Sequence, residues 1–143
     1  PDDLFADKSQ KILKSTAGST YRDMYILRLA ETYLLRAEAH FRKGNQVQAA
    51  ADVNEVRSRA HAPLANPNEI TMDYLLDERA RELVYEEQRR ITLHRTNTLV
   101  ERVRKYNDLN KDDIQDHHNL WPIPFSEIEA NQDAVLNQNP GYN

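Results

Sequence analysis

The sequence predicts an all-α protein: a tetratricopeptide-like helical hairpin, further packed helices, and an irregular Pro-rich C-terminal segment. Three observations lead there. No proline falls between Pro1 and Pro63 or between Pro67 and Pro122, and these spans are rich in the good helix formers Ala, Leu, Glu, Arg and Gln. Apolar residues within them recur every three or four positions, the period of one helix face. The three glycines, Gly18, Gly44 and Gly141, sit where that periodicity breaks. No segment alternates apolar and polar residues between turn signals, so a sheet is not expected.

Residues 1–20 are polar and aperiodic and read as extended or disordered. A first helix is predicted from Asp23 to Lys43, with Ile26, Leu29, Ala30, Tyr33, Leu34, Ala37 and Phe41 as its apolar face. Gly44 ends it in a left-handed cap. Asn45 with Gln48 then opens a second helix that presents Val47, Ala50, Val53, Val56 and Ala60. Ala37, Gly44, Ala49, Val53 and Val56 match the small and apolar positions of a tetratricopeptide repeat. One such hairpin cannot bury both faces, so further helices must cover it.

His61 to Asn68, with Pro63 and Pro67, is a predicted loop, and Thr71 caps a third helix running to about Glu86. Its stripe is Leu76, Ala80 and Leu83, and Asp77–Arg81 and Glu86–Arg90 are i,i+4 pairs in the favourable order. A straight helix would bring the Glu87 carboxylate into that stripe. A bend near Glu86 to Gln88 is therefore expected, with Glu87 reaching Arg90 or solvent. A short helix or turn through Arg90–Arg95 follows. Thr98 and Glu101 cap a fourth helix whose core side is Leu99, Val100, Val103 and Tyr106. Asn107 to Asn119 is an acidic loop, and Ser126 with Glu129 caps a last short turn. The 143 residues suit one domain.

Composition narrows the function. A net charge of −4 argues against a nucleic-acid binder, and the basic stretch from Arg89 to Lys105 has no interleaved aromatics to stack bases. Without cysteine there is no disulfide, thiolate catalysis or thiolate-bound metal. No apolar run approaches the roughly 18 residues that cross a bilayer. No nucleophile motif or phosphate-cradling glycine loop is present. Glu78, Glu82 and Glu86 line a solvated, ion-paired face rather than a carboxylate dyad. No catalytic residue, no metal and no cofactor is therefore assigned.

The remaining candidates weaken on inspection. Asp108, Asn110 and Asp112 have the 1, 3, 5 spacing of a calcium loop, but Asp113 replaces its glycine and Asn119 its bidentate glutamate. His117 and His118 are adjacent and have no third ligand at useful spacing. His40, His61 and His94 are isolated. Tyr25, Tyr33, Tyr74 and Tyr85 read as core, while Tyr21 and Tyr142 are freer. Trp121, the one tryptophan, could stack on a sugar, but its setting in Leu120-Trp121-Pro122-Ile123-Pro124 favours an apolar knot that pins the C-terminal segment.

Three blocks resemble signatures of the SusD/RagB family. They are Arg22-Asp23 with Arg28-Leu29-Ala30-Glu31-Thr32-Tyr33-Leu34 and Ala37-Glu38-Ala39; Leu75 to Leu83 with Glu86, Arg89, Arg90, Leu93 and Arg95; and Leu120-Trp121-Pro122-Ile123-Pro124 with Ser126-Glu127-Ile128, Asn131 and Gln138 to Tyr142. They stand in the family's order. Two positions depart from it: Glu87 stands where the family often has Gly, and Thr92 where it often has Asp. The resemblance implies the C-terminal portion of a non-catalytic glycan-binding lipoprotein, lipid-anchored at the outer-membrane surface. It would pass oligosaccharide to a TonB-dependent transporter. No residue matches a family ligand motif, so the ligand-binding residues are unassigned and the segment reads mainly as scaffold. Peptide capture within the family, or a helical-repeat module that binds a protein partner, are the alternatives.

Overall fold

The computed structural model describes residues 5–7, 9, 12–15 and 25–142. It is mostly helical and divides into two compact units, residues 1–70 and 71–143.

In the first unit, strands β1 (Phe5–Asp7) and β2 (Ile12–Leu13) form a short antiparallel ribbon with an irregularity in its register. No sheet was expected in this stretch. The local reason for one is Asp7, whose carboxylate accepts the Ser9 backbone N–H at 2.8 Å and turns the chain. Helix α1 spans Leu29–Arg42 and α2 spans Gln46–Arg59, and the two pack as the predicted hairpin. The predicted start at Asp23 lies outside the described residues. Residues 25–28 are not helical, and Arg28 at the cap is extended. Ile26 and Leu29 consequently lie exposed, off the face assigned to them, and Val47 in the first turn of α2 is exposed as well. The buried apolar residues are Ala30, Leu34 and Ala37 on α1 and Ala49, Ala50, Val53 and Val56 on α2. Gly44 has φ +77°, the left-handed cap its sequence position calls for. Asn45 is the N-cap of α2, but its side chain makes no capping bond.

A bidentate pair ties the hairpin: Arg36 Nε and Nη2 donate to the two Asp52 carboxylate oxygens at 2.8 and 2.6 Å. The following loop is anchored by Asn54, which accepts from Ala65 N and donates to Ala65 O. One turn of 3₁₀ helix at Pro67–Glu69 closes the unit.

The second unit contains α3 (Met72–Glu82), α4 (Arg89–Arg95), α5 (Leu99–Tyr106) and α6 (Phe125–Ala130). Thr71 caps α3 as predicted, its hydroxyl accepting from Tyr74 N at 3.1 Å. Leu76, Leu93 and Leu99 form the core, with Met72, Val103 and Ile114 packed against it. The predicted stripe on α3 is corrected by one position: Ala80 is exposed, and Arg79 is buried in its place. The predicted Asp77–Arg81 pair is also replaced: Arg81 bonds Glu78 at 2.6 Å, and Asp77 bonds Arg102. Glu78 is thus buried, not on a solvated face. At the C-terminal end, α6 begins at Phe125 with Pro124 as N-cap, so Ser126 and Glu129 do not form the predicted box.

Candidate functional site

The α3–α4 connection shapes the second unit. Helix α3 stops at Glu82, four residues earlier than predicted, because Tyr85 takes φ +63° and Leu83 O gathers the N–H groups of both Glu86 and Glu87. The predicted bend exists, but Glu87 reaches neither Arg90 nor solvent. Its side chain, 4% exposed, meets Arg79, 2% exposed, at 2.5 Å. Thr92 Oγ1 donates to the same carboxylate oxygen at 2.7 Å, and Arg89 approaches the other at 3.3 Å. Burial raises the Glu87 pKa, but the Thr92 hydroxyl and the Arg79 and Arg89 charges outweigh it, so the group titrates below its ordinary value. Tyr85 is fully exposed, against its expected place in the core.

A second buried cation, Arg102, is 6% exposed and bonds Asp73 at 2.8 Å and also Asp77. Sequence reasoning missed it. The available signal was Asp73 and Asp77, two acids one turn apart with a single base, Arg81, one turn further on along their face. Both buried arginines are paired with carboxylates.

Helix α4, so placed, carries Arg90 and His94 one turn apart toward Trp121. The His94 ring stacks on the indole with centroids 4.6 Å apart, and the Arg90 guanidinium carbon lies 4.0 Å from the indole centroid. Arg90 Nε also donates to His94 Nε2 at 3.3 Å. Groups on opposite faces of an indole stand about 7 Å apart, too far for that bond. Both therefore cover the same face. The hydrogen bonds also assign the His94 tautomer. Nε2 accepts, so Nδ1 carries the proton and donates to Asn119 O at 3.0 Å.

Trp121 is 48% exposed. Instead of an apolar knot, polar side chains clamp its segment. Gln138 bonds both N and O of Ile123 at 2.8 Å, as a paired strand would; Asn139 Nδ2 donates to Trp121 O at 2.7 Å, and Tyr142 Oη to Leu120 O at 2.9 Å. His117 packs edge-on against Tyr142, and a Cβ on Gly141 would meet the His117 ring at 2.6 Å. Glycine is required there for space and for its φ of +88°.

Each unit carries a hollow of note. One, within the first unit and about 590 Å³, is lined by Tyr25, Leu29, Tyr33 and Val56 among others. The other, within the second unit and about 300 Å³, lies beside α5 and the loop after it. Of the weighed calcium positions, Asn110 lines this second hollow, while Asp108 bonds Lys111 at 2.9 Å. His118 lines it too; His117 does not. Among the described residues no group of three or more His, Cys, Asp or Glu is arranged to hold a metal. Nor is any helix long and apolar enough to cross a membrane.

The chain matches known proteins along nearly all of its length. It is 36% identical over 137 residues to the starch-binding protein SusD of Bacteroides thetaiotaomicron, covering 90% of this chain and 24% of that protein. It is 32% identical over 131 residues to the SusD-like protein P38 of Formosa agariphila, covering 84% and 25%. The solved structure titled BT4246 superposes with a TM-score of 0.66 at 26% identity, covering 92% of this chain and 26% of that one. The chain thus spans about a quarter of the length of the relatives it matches. Residues 5–142, which include all three sequence blocks' described residues, match the SusD family, and the chain belongs to that SusD/RagB family.

Proposed function

We propose that these 143 residues are the C-terminal portion of a non-catalytic, glycan-binding surface lipoprotein that delivers oligosaccharide to a TonB-dependent outer-membrane transporter. The observation that carries the reading is the 36% identity, across 90% of the chain, to a starch-binding protein. The arrangement of the second unit is compatible with it. Both buried arginines are paired with carboxylates, while the surface offers a half-exposed indole. Such groups suit a neutral polyol, recognised by stacking and hydrogen bonds without a reaction.

The test is affinity electrophoresis of the full-length gene product in gels containing starch and other polysaccharides, alongside titration with peptides. Retardation by at least one polysaccharide supports the reading. Migration unaffected by every polysaccharide, with saturable peptide binding, overturns it in favour of peptide capture. Co-purification with an outer-membrane transporter tests the delivery role separately.

A further inference from the structure

The hollow beside α5 is built differently from the others. Its floor is apolar: Leu99 and Val103 of α5 with Ile114 of the loop, the edge of the second unit's core. Its rim is polar and uncommitted. Neither the Asn110 carboxamide nor the Asp113 carboxylate has a side-chain partner among the described residues. His118 Nδ1 accepts from Gln115 N at 2.8 Å, so its neutral ring carries the proton on Nε2, free to donate. Arg90 is held by His94 through Nε and by the indole through its plane, which leaves its two terminal amino groups as spare donors.

By contrast, the hollow lined by Arg89 and Arg102 has both cations already paired, and the one lined by Arg104 has it bonded to Asp116 at 2.9 Å. The large hollow of the first unit is flanked by Arg28 and Arg59, which have partners of their own.

We propose that the hollow between α5 and the 107–114 loop is a saccharide subsite, taking one neutral sugar ring. This rests on the glycan reading above and names a place for part of that ligand. One ring is what about 300 Å³ admits, at the small end of ligand pockets. The apolar floor receives the C–H face of the ring. The rim supplies a carboxylate acceptor, a carboxamide that donates and accepts, and donors from Arg90 and His118, a set matched to vicinal hydroxyls. One cation and one carboxylate balance, so neither an anionic nor a cationic ligand is favoured. The loop is ordered before binding. Asn107 Oδ1 accepts from Leu109 N and Asn110 N at 3.1 and 3.2 Å, and Lys111 bonds Asp108. Little ordering entropy is then lost when a sugar enters.

The experiment is calorimetric titration of this chain with a panel of starch-derived and other neutral oligosaccharides, with tryptophan emission followed in parallel. Trp121 is the one tryptophan and supports Arg90, so ligand at the rim alters its emission. Asp113→Ala and Asn110→Ala should each weaken binding by about ten- to a hundredfold, with unchanged melting temperatures. Asp112→Ala, on the same loop outside the hollow, should bind as the parent does. Binding that survives the first two substitutions, or that falls equally with the third, overturns the subsite and leaves the glycan reading standing. A folded chain that binds no sugar overturns it too, and the gel test on the full-length protein then decides the glycan reading independently. Peptide binding that requires Asp113 would overturn the saccharide assignment.

Discussion

Replacing Glu87 by Gly, and Thr92 by Asp, should be harmful singly and nearly harmless together. The family often has Gly and Asp at these two positions, and this chain departs at both. The structure shows why the departures belong together. Arg79 is buried, and its carboxylate comes from Glu87, 2.5 Å away, with Thr92 Oγ1 only 2.7 Å from the same oxygen. A carboxylate at position 92 would thus enter the space that the Glu87 carboxylate now fills. Glu87→Gly alone removes the carboxylate bonded to a buried guanidinium, which costs about 3–5 kcal/mol. Thr92→Asp alone places a second acid against Glu87 and should cost roughly 1–3 kcal/mol. In the double variant the new carboxylate at position 92 takes over the pairing with Arg79. The loss should shrink to about 1 kcal/mol, so the coupling energy between the sites is at least about 3 kcal/mol in the stabilising sense. Urea unfolding followed by circular dichroism measures all four proteins. Glu87→Gln is a control that separates the lost charge from the flexibility a glycine adds. Additive losses in the double variant would refute the shared-carboxylate argument, as would a Glu87→Gln protein as stable as the parent.

The same ion cluster sets a pH dependence. The Glu87 pKa is depressed on folding, so its contribution is fully present above the ordinary carboxylate value of about 4.3 and is lost as pH falls through the lower folded value. Melting temperature should therefore fall less steeply below about pH 4 in Glu87→Gln than in the parent; equal slopes would remove Glu87 from the account. Trp121→Ala should destabilise by about 1–2 kcal/mol, well short of the roughly 3–5 typical of a buried ring, because half of the indole is already exposed. Thermal melts give the value, and a loss above about 4 kcal/mol would mean that the ring is a core residue after all. Gly141→Ala should cost about 1–3 kcal/mol through its φ and the clash with His117. It should also speed amide exchange at Ile123, whose N–H is held by Gln138; unchanged exchange there would show that the C-terminal clamp does not depend on the close approach at Gly141.

Backbone punctuation was readable in this sequence because its causes are local. Gly44 and Thr71 each depend on residues within a few positions and each falls where expected; the α3–α4 turn was legible too, but it opens at Leu83, ahead of its expected place. Pairing was not readable, because the partner of a charge is chosen by tertiary geometry. Arg81 has acids both three and four residues before it, and nothing local decides that Glu78 wins over Asp77. Asp77 goes instead to Arg102, 25 residues away, and that choice buries a cation which helical periodicity assigned to solvent. The exchange of Ala80 for Arg79 on the buried face has the same origin. A long arginine can turn inward only because Glu87 returns beneath it, and Glu87 returns only because the helix has already ended. Trp121 follows from the same chain of causes. Helix α4 starts at Arg89 as the chain leaves that ion cluster, which fixes Arg90 and His94 under one indole face and leaves the ring half exposed. The polar surface of the second unit is therefore a consequence of where a buried carboxylate sits. Moving that carboxylate from position 87 to position 92 while keeping α4 in place is the condition for a relative to present the same surface with a different sequence.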